Sequence, residues 1–151
     1  MRAQTMTRAA RWAAIVVTVF SAVSALGGGI AILVTDGIGM PMSMLENSPF
    51  TSFLLPGLIL LIVIGGTQTA AAALLILRRD SGLLWAAVAG FAMLIWILIE
   101  TVMIQGFGFL QGLYFGAGLV ELILVFSLLG IVPWMPRVRL DETRAAPGVD
   151  R

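Results

Sequence analysis

Residues 83–104 read LLWAAVAGFAMLIWILIETVMI, an unbroken apolar run whose one ionisable side chain is Glu100. At 1.5 Å of rise per residue a helix of this length extends about 33 Å, which suffices to cross a hydrocarbon core of about 30 Å. In such surroundings no water satisfies backbone N–H and C=O groups, so the chain must close its hydrogen bonds within a helix. Three further stretches, 12–34, 53–77 and 110–132, have the same character, with charged residues in the first two connections and a glycine-bearing turn, Gln105 to Phe109, in the third. The fold expected is therefore all-α: a four-span transmembrane helix bundle over residues 1–136. A polar tail over 137–151, after Pro133 and Pro136, has no helical periodicity and is expected to be poorly ordered.

Composition points the same way. Of the 151 residues 60% are hydrophobic and 11% charged, with a mean hydropathy of +1.04, far from the roughly 25% charged of a soluble domain. With no Cys and no His, disulfides, thiolate chemistry, imidazole catalysis and the common zinc sites are excluded. The first stretch admits a second reading as a secretory leader, since Arg8 and Arg11 precede it and Val23-Ser24-Ala25 resembles a cleavage site. The apolar run continues through Leu33 and Val34, however, which suits a span.

All nine basic residues are Arg. They lie before the first span, between the second and third, and after the fourth, whereas the other two loops have none. By the positive-inside rule both termini are cytoplasmic, and the expected location is a bacterial plasma membrane, the bacterial source being inferred from Arg, Ala and Gly richness. Arg78 to Gly82 forms a tight turn in which Asp80 or Ser81 is expected to cap the third helix. The turn of Gln105 to Phe109 is equally short, so spans two, three and four are consecutive antiparallel neighbours. In the longer loop, Ser48-Pro49 predicts a short interfacial helix, and Pro56 a bend near the outer end of span two. Small residues mark packing faces: Thr18, Ser21, Ala25 and Gly28 in span one, Gly65, Gly66, Thr69 and Ala70 to Ala73 in span two, and a GxxxG at Gly112 and Gly116. Ala86, Ala89 and Gly90 form a weaker face in span three.

Two acids interrupt this pattern, Glu100 in span three and Glu121 in span four. An ionised acid at the centre of a spanning helix costs about 2.5 to 3.5 kcal/mol on insertion scales, so each needs water, a proton or a hydrogen-bond partner. The short loop between their helices places both on one expected outward-facing cavity in the outer half, with Tyr114 a heptad before Glu121 and Trp96 a turn from Glu100. Gln105 and Gln111 are expected at its mouth, and Gln68 at its floor. The residues singled out for ligand or proton binding are thus Glu100, Glu121, Tyr114, Gln68, Trp96, Gln105 and Gln111.

Three functions compete for these residues. The first is a small binding or accessory protein that holds an amphipathic ligand or another membrane protein. The second is a proton-coupled transporter of small amphipathic molecules, and the third gives the acids no task beyond interhelical hydrogen bonding. No catalytic constellation surrounds the two carboxyls, so an enzyme is disfavoured and no cofactor is expected. Met40, Met42 and Met44 alternate in the long loop as Cu(I)-binding thioethers do, but methionines also fill loop interfaces, and no metal is expected. Membrane lipids are the implied surroundings; the arginines are explained by topology and anionic headgroups, and nucleic acid is not an expected partner.

Gly65-Gly66-Thr67-Gln68 leading to Arg78-Arg79, the Trp96-Ile97 segment, and Leu110-Gln111 with Tyr114-Phe115 and Gly118 resemble a pattern in small uncharacterised bacterial four-helix membrane proteins. The resemblance covers about a third of the chain. It implies the four-helix architecture and brings no activity and no site residue.

Overall fold

The computed structural model describes residues 2–130; the expected polar tail lies outside them. In chain order the elements are α1 (Arg2–Thr35), a 3-10 turn (Met42–Leu45), α2 (Leu54–Leu58), a π-helical segment (Ile59–Ile64), α3 (Gly65–Ile76), α4 (Gly82–Ile104) and α5 (Phe109–Leu128). Because α2, the π segment and α3 are continuous, four helices are long and apolar enough to cross a membrane: Thr7–Thr35, Leu54–Ile76, Gly82–Ile104 and Phe109–Leu128. The last stops short of position 132. Gly130 takes φ +70° and donates its N–H to Ser127 O at 3.1 Å, the left-handed exit for which glycine has no steric penalty.

The helices form a ring in which α1 packs on α3 and α5, and α4 packs on the same two. Helix α3 and α5 are therefore diagonal to one another. Apolar side chains fill the interior in three clusters along the axis. One, at the end where α1 begins, holds Ala14, Ala71, Leu75, Ala86, Ala89, Val125 and Leu128. A middle cluster holds Ala25, Ile64, Met93, Trp96 and Ile97. The third, Leu45, Phe53 and Met103, lies under the long loop.

Glycines set the contact between α1 and the second span. A Cβ on Gly29 would stand 2.8 Å from Leu61 N and 2.9 Å from Leu61 Cα, while Gly57 meets Ile32 and Gly65 meets Leu26 at comparable range. The π segment explains the need. Its wider turn, in which Gly65 N–H reaches back five residues to Leu60 O, pushes the backbone outward, and α1 accommodates it with Gly28 and Gly29. Pro56, expected to bend the span, falls in the first turn of α2, where its missing N–H removes no intrahelical bond; the irregularity begins at Ile59. At the α4–α5 crossing the close approach is between Gly90 and Gly118, each against the other's carbonyl oxygen. Gly116 of the GxxxG faces open space.

The turns differ from expectation in how they are closed. Arg78 adopts φ +55°, and bonds from Arg79 N–H to Leu74 O (2.9 Å) and Arg78 N–H to Leu75 O (3.2 Å) complete a Schellman ending. Ser81 stands at the cap of α4 but makes no side-chain capping bond. Its backbone is already helical, at φ −72° and ψ −8°, instead of in the extended region a cap normally takes; Gly82 N–H bonds Arg79 O instead. Arg11 reaches across from α1 to donate to Leu75 O at 2.8 Å, a cation on the carbonyl end of α3.

In the long loop Asp36, Gly37, Ile38 and Gly39 all have positive φ, and Thr35 holds the turn by accepting Ile38 N–H at 2.8 Å. Gly37 lies directly on the Phe53 ring. No helix starts at Pro49: Ser48 Oγ accepts Phe50 N–H (3.2 Å) and donates to Leu45 O (2.9 Å), closing a local turn while Phe50 and Phe53 join the apolar cluster. The short helix lies earlier, at Met42–Leu45. Met40 packs against that cluster and Met42 is exposed.

The two glycines 27 and 29 supply a controlled test. A Cβ on Gly27 meets nothing within 4 Å, whereas one on Gly29 collides with the Leu61 backbone. Gly29→Ala is expected to lower stability by about 1 to 3 kcal/mol through overpacking, and Gly27→Ala to be neutral or stabilising by up to about 1 kcal/mol. Unfolding of both variants in one detergent micelle, followed by circular dichroism, checks the contrast.

Candidate functional site

The hydroxyls of the helices divide into two kinds. Thr18, Thr67, Thr69, Thr101 and Ser127 each donate back to a carbonyl one turn earlier in their own helix. This is the usual way a helix satisfies a hydroxyl in apolar surroundings. Ser21 does not. It is fully buried, its Oγ has no hydrogen-bond partner among the described residues, and it lines a partly open cavity of about 190 Å³ bounded by α1, the π segment, α4 and α5.

Ser21 stands at one end of this cavity, toward the beginning of α1. Ser24, Ala25 and Gly28 continue the α1 wall, Leu60 comes from the π segment, and Met93, Trp96 and Ile97 form the wall on α4. At the other end are Glu100, Leu110, Gln111 and Tyr114. From Met93 to Glu100 the α4 wall rises about 10 Å. The Tyr114 ring stacks on Phe20, with centroids 6.1 Å apart.

Glu100 is oriented by a relay that starts on the backbone. Gly108, the cap residue of α5, donates its N–H to Gln111 Oε1 at 3.0 Å. That bond commits the amide oxygen and turns the amide nitrogen toward α4, where Gln111 Nε2 donates to Glu100 Oε1 at 3.2 Å. The two ends of a side-chain amide are hard to distinguish by shape alone, and here the backbone donor distinguishes them. Glu100 Oε2 has no protein partner among the described residues.

The second acid belongs elsewhere. Glu121 is fully buried, as is Gln68, and Gln68 Nε2 donates to Glu121 Oε2 at 2.8 Å. This bond crosses the diagonal of the bundle between α3 and α5, separating the cluster around Ala71 and Val125 from the one around Trp96. The remaining oxygens of the pair, Gln68 Oε1 and Glu121 Oε1, are buried without partners among the described residues.

The expectation of one cavity holding both acids is therefore corrected. Glu100, Trp96, Gln111 and Tyr114 are brought together; Glu121, Gln68 and Gln105 do not line the cavity. Glu100 bonds at the level of Gln111, ten residues before Glu121 on the same helix, a separation of about 15 Å, so the two carboxyls cannot share a proton. Glu121 lies past the midpoint of α5 and not in the half nearer Glu100. Gln105 is exposed and serves as the left-handed end of α4, at φ +49°. The threonines beside Gln68 are occupied by their own backbone. Ser21 escaped notice as a site residue because, on a stripe with Thr18, Ala25 and Gly28, a serine reads as a packing residue.

Removing one member of the buried pair should cost more than removing both. Gln68→Leu leaves Glu121 without its donor and is expected to destabilise by about 1 to 3 kcal/mol, while Gln68→Leu combined with Glu121→Leu recovers most of the loss. A double-mutant cycle measured by reversible unfolding in mixed micelles reads the coupling. Compared with protein-family models, with curated proteins and with solved structures, the chain has no match.

Proposed function

We propose that this chain is a multi-pass protein of the bacterial plasma membrane with both termini in the cytoplasm, and that it binds a small amphipathic ligand in the cavity between Ser21 and Glu100. The membrane reading is supported by four helices of sufficient length and hydropathy. It is supported also by what covers their outer faces: Val16, Val23, Ile30, Ile62, Leu84, Phe91, Ile95, Leu98, Val102 and Ile123 are all exposed. Apolar surface on every side of a bundle suits lipid and would drive aggregation in water. The arginine pattern supports the sidedness, which directs the Glu100 end of the cavity to the cell exterior.

The observation that carries the binding reading is Ser21. A buried hydroxyl without a partner costs about 1 to 3 kcal/mol, and an alanine there would fit the same stripe. Placing that hydroxyl at the closed end of a cavity, with a half-free carboxylate at the other, suits an occupant with polar atoms and an apolar body. The diagonal Gln68–Glu121 bond sits apart from the cavity and is assigned to holding the helices together. A transporter reading has less support, because the acid between the cavity and the end bearing Arg78 and Arg79, Glu121, is fully buried, bonded to Gln68 and off the cavity wall.

Two measurements test these assignments. The chain has no native cysteine, so Gln105→Cys and Asp80→Cys are single labelling sites. In intact cells an impermeant maleimide is expected to modify the first and not the second, and the opposite result would overturn the sidedness. Ser21→Ala is expected to leave stability unchanged or raise it by up to about 1 kcal/mol, since no bond is lost. The same variant should purify with less of a small molecule that denaturing extraction and mass spectrometry recover from the unaltered protein. Equal recovery from both would leave Ser21 without a binding role.

A further inference from the structure

Among the described residues the cavity has one acid on its wall and no basic side chain beside it. Glu100 is the sole Asp, Glu, Arg or Lys among the described residues on its wall. Gln111 engages only one carboxylate oxygen, and does so with a neutral donor already committed to the Gly108 backbone. Arg11, which reaches into the bundle from the opposite end, is held on Leu75 O. A carboxylate facing a low-dielectric cavity has its strongest available interaction with a cation, and Trp96 of α4 and Tyr114 of α5, which line the same cavity, are side chains of the kind that favour one. An anionic occupant would meet like charge.

We infer that the ligand carries an ammonium group, seated on Glu100 Oε2 beside Tyr114, with its apolar body running along Ile97 and Met93 toward Ser21. This inference rests on the binding reading above and narrows it to organic amines. The cavity length of about 10 Å suits a body of a few methylenes or one small ring. An ammonium can arrive on a free amphipathic amine or on the headgroup of phosphatidylethanolamine, and the chemistry at Glu100 is the same for both.

The test uses three matched probes, hexylammonium, hexanol and hexanoate, on the full chain in phosphatidylcholine nanodiscs. Trp96 emission reports binding once Trp12, Trp85 and Trp134 are replaced by Phe. Hexylammonium is expected to bind about tenfold or more tightly than hexanol, with hexanoate weaker still, and in the Glu100→Gln protein the amine-to-alcohol ratio should fall to about one. Hexanol binding as tightly as hexylammonium, or a preference for the amine that survives Glu100→Gln, overturns the amine inference and leaves the cavity reading standing. Failure of all three probes to bind overturns both. Adding phosphatidylethanolamine to the nanodiscs identifies the source: a weaker apparent affinity for hexylammonium assigns the ammonium to the lipid headgroup, and an unchanged affinity assigns it to a free amine.

Discussion

The approach of Gly29 to the Leu61 backbone is the contact on which the rest of this bundle depends. It brings α1 against the second span at a distance no other residue permits, and it does so where the second span is widened by its π segment. In the membrane setting proposed for the chain, helix association needs such positions, because apolar side chains gain nothing by exchanging lipid for protein. Leu60, the neighbour of Leu61, then projects between α1 and α4 and becomes part of the cavity wall. The local irregularity of one helix and one wall of the cavity are thus consequences of the same turn.

Two carboxyls that look equivalent in the sequence acquire different environments. Glu121 is fully buried and linked to Gln68 across the centre of the ring, in a layer between two apolar clusters. Glu100 is partly exposed and is aimed by a bond that begins on the Gly108 backbone. The first arrangement joins helices that otherwise have little contact. The second holds a carboxyl group in a fixed direction next to empty space, an arrangement that suits recognition better than cohesion.

Much of this was legible in the chain itself. The four helices follow from hydropathy and length, and the turn positions from Arg78 to Gly82 and from Gln105 to Gly108. The stripe of Thr18, Ser21, Ala25 and Gly28 does face the interior. What could not be read was register. Whether Glu121 lies opposite Gln68 or in a cavity with Glu100 depends on how far α5 slides against its neighbours, and small residues allow several registers. The π segment has no signature of its own in ILLIVI, and the glycines opposite it become meaningful only when paired with it. The loop misled for a related reason: Ser48-Pro49 has the chemistry of a helix start, but Phe50 and Phe53 are drawn into the cluster with Leu45 and Met103.

The bundle is unevenly filled along its axis. Around Ala71, Ala89 and Val125 small side chains pack without residual exposure, whereas the half beyond the Gln68–Glu121 bond contains the void. Compression favours conformations that abolish internal free volume, so the two halves should differ in mechanical response. The solid half behaves as a stiff foundation near the arginine turn, and the hollow half is the part whose helices can draw together when the space between them is filled or squeezed.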